Sequence, residues 1–185
     1  AMTEIMKEPA AAPHTPMVEV NHLKKYFKTK RGLLHAVDDV SFSIERGETL
    51  GLVGESGCGK STLGRTMIRL LDATSGEVKF DGRDILKFSK SEMKEMRKKV
   101  QIVFQDPYSC LNPRLSVADL IAEPLIVNKV YSSKKAMNDR ILELMDTVGL
   151  ARRLIGTYPH ELDGGRRQRI GIARSLALNP DFIVL

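Results

Sequence analysis

The sequence contains no long apolar run and no export signal. An apolar helix needs about 18 or more residues to cross a bilayer, and no apolar run of this chain reaches that length. Its start also lacks the charged region, apolar region and cleavage site of a secretory signal. These absences predict a cytoplasmic protein.

Cysteine is scarce as well. The chain has 2 cysteines, Cys58 and Cys110, which are too few and too far apart for a disulfide framework or a set of zinc ligands. We expect two reduced thiols in a reducing compartment.

Aromatic residues make up only 5% of the chain, and they do not alternate with the basic residues. A stacking platform for nucleic acid is therefore not expected, despite a net charge of +6. Solvated faces account for most of this charge, with anionic lipid or nucleotide phosphate as the alternative. The basic clusters are Lys24–Arg31, Lys94–Lys99, Arg152–Arg153 and Arg166–Arg169.

The 185 residues, 42% hydrophobic, can bury one sizeable core, which suits an α/β domain. Residues 1–16 are rich in proline and alanine and predict a mobile tail. We expect a core with an antiparallel β-subdomain at 17–105, a helical subdomain at 106–165, and a return to the core at 166–185.

The periodicity of apolar residues predicts the elements within these regions. Alternation between Met17 and Ile44 is typical of antiparallel strands, whereas the apolar run Thr49–Val53 predicts a parallel strand covered on both faces. A helix is expected from Lys60 to before Thr74. The remaining predictions are helices at 89–99, 116–128, 133–149 and 166–178, and strands at 100–104 and 182–185.

A phosphate-binding pattern, GxxxxGK[ST], joins the apolar run to the following helix. Its glycines let the backbone fold around phosphates, and the amides at the helix start point at the anion. We expect Lys60 to contact the β- and γ-phosphates of ATP, Ser61 to bind Mg²⁺ and Thr62 to bind the α-phosphate. The candidate residues are Gly54, Glu55, Ser56, Gly57, Cys58, Gly59, Lys60, Ser61 and Thr62.

From Val18 to Leu185 the chain resembles the ATPases of ABC transporters. The resemblance implies a P-loop fold of the ABC type, with an antiparallel β-subdomain, a partial parallel core sheet and a helical insert. It also implies an aromatic residue that stacks on adenine, in a Leu-x-Lys-x-aromatic pattern that points to Phe27. Tyr26 is the neighbouring alternative.

A glutamine after a strand resembles the Q-loop of this family, in the run Val103-Phe104-Gln105-Asp106. The resemblance implies that Gln105 touches Mg²⁺ or the attacking water and links the core to the helical insert. An amide suits this task because it donates and accepts hydrogen bonds without adding charge.

A second glycine-containing stretch, starting at Leu162, resembles the family signature LSGGQ. The resemblance implies that two such domains pack head to tail, with each signature closing over the partner's ATP. Asp163 and Arg166 depart from the pattern: Asp163 is either a helix N-cap or a carboxylate that repels the partner's γ-phosphate unless Arg166 or Arg167 compensates. The signature residues are Leu162, Asp163, Gly164, Gly165 and Arg166.

Two further stretches, Asp106–Arg114 and Tyr158–Glu161, are similar to the ATPases of oligopeptide and dipeptide importers. The resemblance implies a second ABC ATPase, transmembrane permease subunits and, indirectly, a peptide-binding protein as partners. It also implies a location on the inner face of the plasma membrane.

In this family, the Mg²⁺-supporting aspartate and the water-polarising glutamate follow a strand of four apolar residues, and a switch histidine comes later. Here that strand is Phe182–Leu185, the last residues of the sequence. We therefore expect this chain to bind nucleotide without hydrolysing it, and the whole protein to be an ATPase. A non-catalytic nucleotide-binding module and an ABC-type ATPase acting on nucleic acid are the alternatives.

Overall fold

The computed structural model describes residues 16–106 and 110–185, together with the backbone of Ile5 and Met6. They fall into two compact units, residues 1–93 and 94–185. The strands are β1 (Ile5–Met6), β2 (Val18–Thr29), β3 (Gly32–Ile44), β4 (Gly51–Leu52), β5 (Ser75–Phe80), β6 (Arg83–Asp84), β7 (Val100–Ile102) and β8 (Phe182–Val184). The helices are α1 (Lys60–Met67), α2 (Lys90–Lys99), α3 (Val117–Val127), α4 (Lys134–Thr147) and α5 (Gly164–Leu176).

An antiparallel sheet in the order β3-β2-β5-β6 forms much of the first unit. Val18 faces Ile44 on one side and Phe80 on the other, and all three side chains are buried. Apolar side chains at alternate positions line one face of each strand, which is the pattern the sequence shows between Met17 and Ile44. The predicted antiparallel strands are therefore confirmed.

A close approach between two backbone segments fixes where β5 begins. Gly76 has a φ of +101°, and a Cβ at this position would lie 2.5 Å from the carbonyl oxygen of His22 and 2.6 Å from the Cα of Leu23. The pairing of β2 with β5 is irregular here, with a register shift between Asn21 and Lys24. Only glycine combines this φ with this contact.

The apolar run Thr49–Val53 does not form the predicted covered parallel strand. Only Gly51 and Leu52 are in a strand, and they pair antiparallel with Met6 and Ile5. Val53 is 56% exposed. The prediction was wrong because an apolar run indicates burial without specifying which strand pairs with it.

Most of the predicted tail, residues 1–4 and 7–15, lies outside the described residues. The backbone of Ile5 and Met6 departs from the prediction, since it forms β1 against β4. This pairing forms because the edge of β4 offers backbone hydrogen-bonding groups to an extended segment beside it.

Two helices, α1 and α2, begin where the sequence predicts. α1 starts at Lys60, and α2 follows the reciprocal capping pair of Ser89 and Glu92. The amide of Ser89 donates to Glu92 Oε2 at 2.9 Å, and the amide of Glu92 donates to Ser89 Oγ at 3.3 Å. This arrangement satisfies amides that have no partner within the helix.

The second unit has a core formed by α3, α4 and α5. α3 begins with a capping box between Ser116 and Asp119, and α4 buries Ile141, Leu144 and Met145. The parallel pair β7 and β8 also belongs to this unit. Fully buried members of the helical core are Val117, Leu120, Ile121, Leu125, Ile141, Leu144, Met145 and Ile170.

The compact units divide the chain at Met93 and Lys94, whereas the sequence predicts a boundary after Gln105 and another after Gly165. α5 packs against α3 and α4, because Ile170 and Ala173 are buried in their shared core. The predicted return to the core at 166–185 therefore contains a helix that packs with the helical subdomain. Within the part of the chain that the structure describes, no helix has the length and apolar character to span a membrane.

The contact at Gly76 predicts a selective loss of stability. We expect Gly76→Ala to lower the free energy of unfolding by about 2–5 kcal/mol, of which about 1–2 comes from the positive φ and about 1–3 from the forced contact. The matched control is Gly47→Ala, because Gly47 has a φ of +80° and nothing within 4 Å of the added Cβ. Urea unfolding measures both, and equal losses would contradict the role of the contact.

Candidate functional site

The turn before α1 is built from glycines in the left-handed region. Gly57 has a φ of +80° and Gly59 a φ of +100°. A Cβ at Gly59 would lie 2.1 Å from the carbonyl oxygen of Ala36 in β3, so no larger residue fits there. The predicted phosphate loop therefore lies directly against β3, between β4 and α1.

The start of α1 is suited to an anion. Its N-cap residue is Gly59, which has no side chain to satisfy the first amides of the helix. The residues from Gly54 to Gly57 are exposed, which leaves this end of the helix accessible. Amides and the positive end of the helix dipole together favour a negative group at this position.

Lys60 is folded into the loop. Its Nζ donates hydrogen bonds to the carbonyl oxygens of Gly54 at 2.7 Å and Glu55 at 2.6 Å, and it lies 3.7 Å from Cys58 Sγ. These neutral partners satisfy the ammonium without neutralising its charge. A phosphate in the loop would add a charged partner, and charge-assisted hydrogen bonds are the stronger kind.

Ser61 and Thr62 occupy the first turn of α1. Ser61 is exposed and Thr62 is half-buried. One turn further on, the buried Thr66 donates its hydroxyl to the carbonyl oxygen of Thr62 at 2.7 Å, which anchors the backbone of this turn. The structure thus brings the predicted residues Gly54 to Thr62 together in one segment.

Tyr26, the alternative adenine contact, is engaged by the protein itself. Its ring stacks on His35 with centroids 3.9 Å apart and planes inclined by 11°, and its amide donates to Thr74 Oγ1 at 2.8 Å. Its hydroxyl donates to the carboxylate of Asp38. This hydrogen bond is the main cause that raises the pKa of Tyr26 and lowers the pKa of Asp38.

Phe27, the predicted adenine contact, follows on β2 opposite Leu34 of β3. It is half-buried, and the ammonium of Lys25 lies 4.9 Å from the centroid of its ring. Successive strand residues point to opposite faces, so Phe27 and Tyr26 do not share a face.

Gln105 lies in the second unit, shortly after β7, and its side chain is exposed. Pro107, Tyr108 and Ser109, which belong to the predicted partner-contacting stretch, lie outside the described residues. The described residues resume at Cys110, which is half-buried. Leu111 is buried in the helical core, which anchors this segment.

Asp163 is the N-cap of α5, as the capping hypothesis predicts. Its backbone is extended, and Oδ1 accepts a hydrogen bond from the amide of Arg166 at 2.8 Å. This bond is the main cause that lowers the pKa of Asp163. The guanidinium of Arg166 lies 3.4 Å from Oδ2, with both side chains at least half exposed, so solvent weakens the pair.

The residues around Asp163 are fixed by the helical core. Leu162 is buried in that core, and the guanidinium of Arg167 donates to the carbonyl oxygen of Pro159 at 2.7 Å. Tyr158 and His160 stack on each other with ring centroids 5.8 Å apart. The predicted signature and the preceding stretch thus form one ordered segment.

Two features of the structure have no counterpart in the sequence predictions. One is the cluster of Tyr26, His35 and Asp38; the other is a cavity of about 330 Å³ in the second unit, beside an ion pair of Arg174 and Glu123 at 2.7 Å. Both are formed by residues that lie on different helices or strands. No local pattern indicates such pairs, although Asp and His on the strand facing Tyr26 are a weak signal.

Sequence comparison identifies several similar proteins. The profile of the ABC transporter family matches residues 37–185. The chain is 54% identical over 169 residues to the oligopeptide transport ATP-binding protein OppF of Bacillus subtilis, covering 91% of this chain and 55% of that protein. It is 46% identical over 190 residues to the dipeptide transport ATP-binding protein DppF of Haemophilus influenzae, covering 99% of this chain and 56% of that protein. The chain spans about half the length of these curated relatives.

The fold is similar to solved ATP-binding cassettes. The dimeric structure of MJ0796, described as a bacterial ABC transporter cassette, superposes with a TM-score of 0.81 at 32% identity, covering 90% of this chain and 72% of that one. A post-hydrolysis state of the cassette MJ0796 bound to ADP and Pi has a TM-score of 0.80 at the same identity and coverage.

The cap of α5 predicts how Asp163 variants unfold. Serine can accept the same amide hydrogen bond, so we expect Asp163→Ser to leave the urea midpoint unchanged and Asp163→Ala to lower it by about 0.3–1 M. Urea titrations followed by circular dichroism measure this. A midpoint that falls equally in both variants would contradict the capping role.

The charge of Asp163 adds a pH dependence. Because its pKa is lowered in the folded state, its contribution is present above the unfolded pKa of about 3.9 and is lost as pH falls through the folded value. The stability of the parent chain relative to Asp163→Ser should therefore decrease in that acidic range.

Proposed function

Because the chain belongs to the ABC transporter family and has its P-loop fold, as the sequence predicts, we propose that it binds ATP and Mg²⁺. In this proposal it is the energising subunit of a peptide importer. The observation that carries the proposal is the loop Gly57–Lys60, where two left-handed glycines precede an α-helix that begins at Lys60 and lacks a side-chain cap. In the whole protein, ATP binding and hydrolysis would drive uptake of oligopeptides or dipeptides.

The donors of the loop fit the phosphates of ATP. Lys60 would exchange its carbonyl partners for the β- and γ-phosphates, and the first amides of α1 would face the anion. Mg²⁺ bound with ATP would neutralise phosphate charge. Ser61, exposed on the first turn of α1, offers a hydroxyl ligand, and Thr62 offers one to the α-phosphate. Mg²⁺ keeps several waters and needs few protein ligands, so this donor set suits it.

Phe27 is the better adenine platform of the two neighbouring aromatics. Tyr26 has one face covered by His35 and its hydroxyl bound to Asp38, which leaves it poorly placed for a ligand. Phe27 lies on the opposite face of β2 and has no hydrogen-bonding group to satisfy. A flat apolar ring without such a group is what stacking on a base requires.

Gln105 and the signature complete the proposal for the whole protein. The exposed amide of Gln105 would contact Mg²⁺ or the attacking water. Gly164 and Gly165, at the start of α5, would meet the ATP of a second ABC ATPase packed head to tail. Asp163 supports this position by fixing the start of the helix, while Arg166 offsets part of its charge.

The names of the relatives support the proposed cargo and partners. OppF and DppF are named for the transport of oligopeptides and dipeptides, which supports a peptide importer. Such a subunit would work with permease subunits on the inner face of the plasma membrane and, through them, with a peptide-binding protein. The contacts would involve Asp106–Arg114 and Tyr158–Glu161.

Lys60 provides the first test. We expect Lys60→Ala to weaken ATP binding at least about tenfold, because the only full positive charge of the loop is lost. Calorimetric titration with Mg-ATP measures this, and in the whole protein the same change should abolish uptake of a labelled oligopeptide. The control is Lys90→Ala, which removes an equal charge from an exposed position of the same unit. Unchanged affinity in Lys60→Ala would refute the phosphate-loop assignment.

The adenine platform provides the second test. We expect Phe27→Ala to weaken ATP binding about tenfold and Phe27→Trp to retain it, because stacking requires a flat ring. Tyr26→Ala should have a smaller effect. Titrations of the three variants decide between the two aromatics, and a larger loss in Tyr26→Ala would assign the platform to Tyr26 instead.

A further inference from the structure

Tyr26 is the most thoroughly fixed aromatic side chain of β2. One face of its ring lies on His35, and its hydroxyl donates to Asp38, so two residues of β3 hold it. Its amide donates to Thr74, at the approach to β5. A single residue of β2 is thereby linked to segments on both sides of it.

This fixation occurs where β2 is irregular. Its pairing with β3 shifts register between Leu23 and Lys25 and again between Lys25 and Tyr26. Such irregularities bend a strand and change the direction of the side chains that follow. The direction of Phe27, the next residue, therefore depends on how the irregular segment is held.

The segment of β3 that holds Tyr26 also touches the phosphate loop. Ala36 lies directly after His35 and two residues before Asp38, and its carbonyl oxygen is the group that a Cβ on Gly59 would meet at 2.1 Å. Residues 35–38 of β3 thus contact both the irregular segment of β2 and the loop before α1. These contacts connect the irregular segment of β2 to the loop.

From this arrangement we infer that Tyr26 is a positioning residue for nucleotide binding: held by Asp38 and His35, it fixes the direction of Phe27 relative to the phosphate loop. The inference rests on the proposed function, in which Phe27 stacks on adenine. Tyr26 and Phe27 lie on opposite faces of β2, so Tyr26 acts through the backbone without touching the nucleotide.

A variant of Tyr26 should therefore bind the adenine base less well and bind the phosphates as before. Removing the hydroxyl of Tyr26 loosens Phe27 but leaves Gly59 and Lys60 in place. Tripolyphosphate carries the anionic part of ATP without the base, so it reports on the loop alone. A merely structural role of Tyr26 would lower the affinity for both ligands together.

The test compares the affinity for ATP with that for tripolyphosphate by calorimetry. Tyr26→Phe should weaken ATP binding roughly three- to tenfold, the effect of one hydrogen bond, and change tripolyphosphate binding less than twofold. Asp38→Ala should do the same, whereas Asp38→Asn, which keeps an acceptor oxygen, should restore most of the ATP affinity. Tyr131→Phe, the same change on a tyrosine of the other unit, is the control and should alter neither ligand.

A double variant checks the route through Phe27. If Tyr26 acts through that ring, adding Tyr26→Phe to the Phe27→Ala variant should not weaken ATP binding any further. Unchanged ATP affinity in Tyr26→Phe, while Phe27→Ala lowers it, would overturn the inference and leave the proposed function standing. Equal losses for ATP and tripolyphosphate would also overturn it, and a parent chain that binds neither ligand would overturn both proposals.

Discussion

The contact between Gly59 and the carbonyl oxygen of Ala36 is the constraint on which the first unit depends. It places the turn before α1 against β3 at a distance that no side chain permits. The contact therefore requires glycine in the turn that leads into α1, which begins at Lys60. A helix terminus and an ammonium beside it together attract an anion.

The second unit also contains a helix that starts with glycines, but this helix has a side-chain cap. In α5, Asp163 caps the first turn and Arg166 lies beside that carboxylate. The start of α5 has a side-chain cap within the chain, whereas the start of α1 has none. The contrast agrees with the different roles proposed for them, in which the start of α1 would bind the phosphates directly and the start of α5 would close over a site supplied by a partner.

The features that the sequence predicted well are those that depend on neighbouring residues. The loop from Gly54 to Thr62, the start of α1 at Lys60 and the cap at Asp163 all follow from local patterns, and the structure has each of them. Pairing between segments that are distant in the sequence was harder to predict. Composition could not indicate that Gly51 and Leu52 pair with Ile5 and Met6, or that Tyr26 contacts Asp38, because both depend on how the chain returns to itself.

The hydrogen bonds of Lys60 bear on the speed of ligand capture. With Nζ bound to the carbonyl oxygens of Gly54 and Glu55, the chain's own groups hold the loop in its folded conformation. Capture then exchanges one set of partners for another and orders little additional chain, so association need not wait for a slow folding step. Differences in affinity among nucleotides at such a preorganised loop should arise mainly from their dissociation rates and residence times.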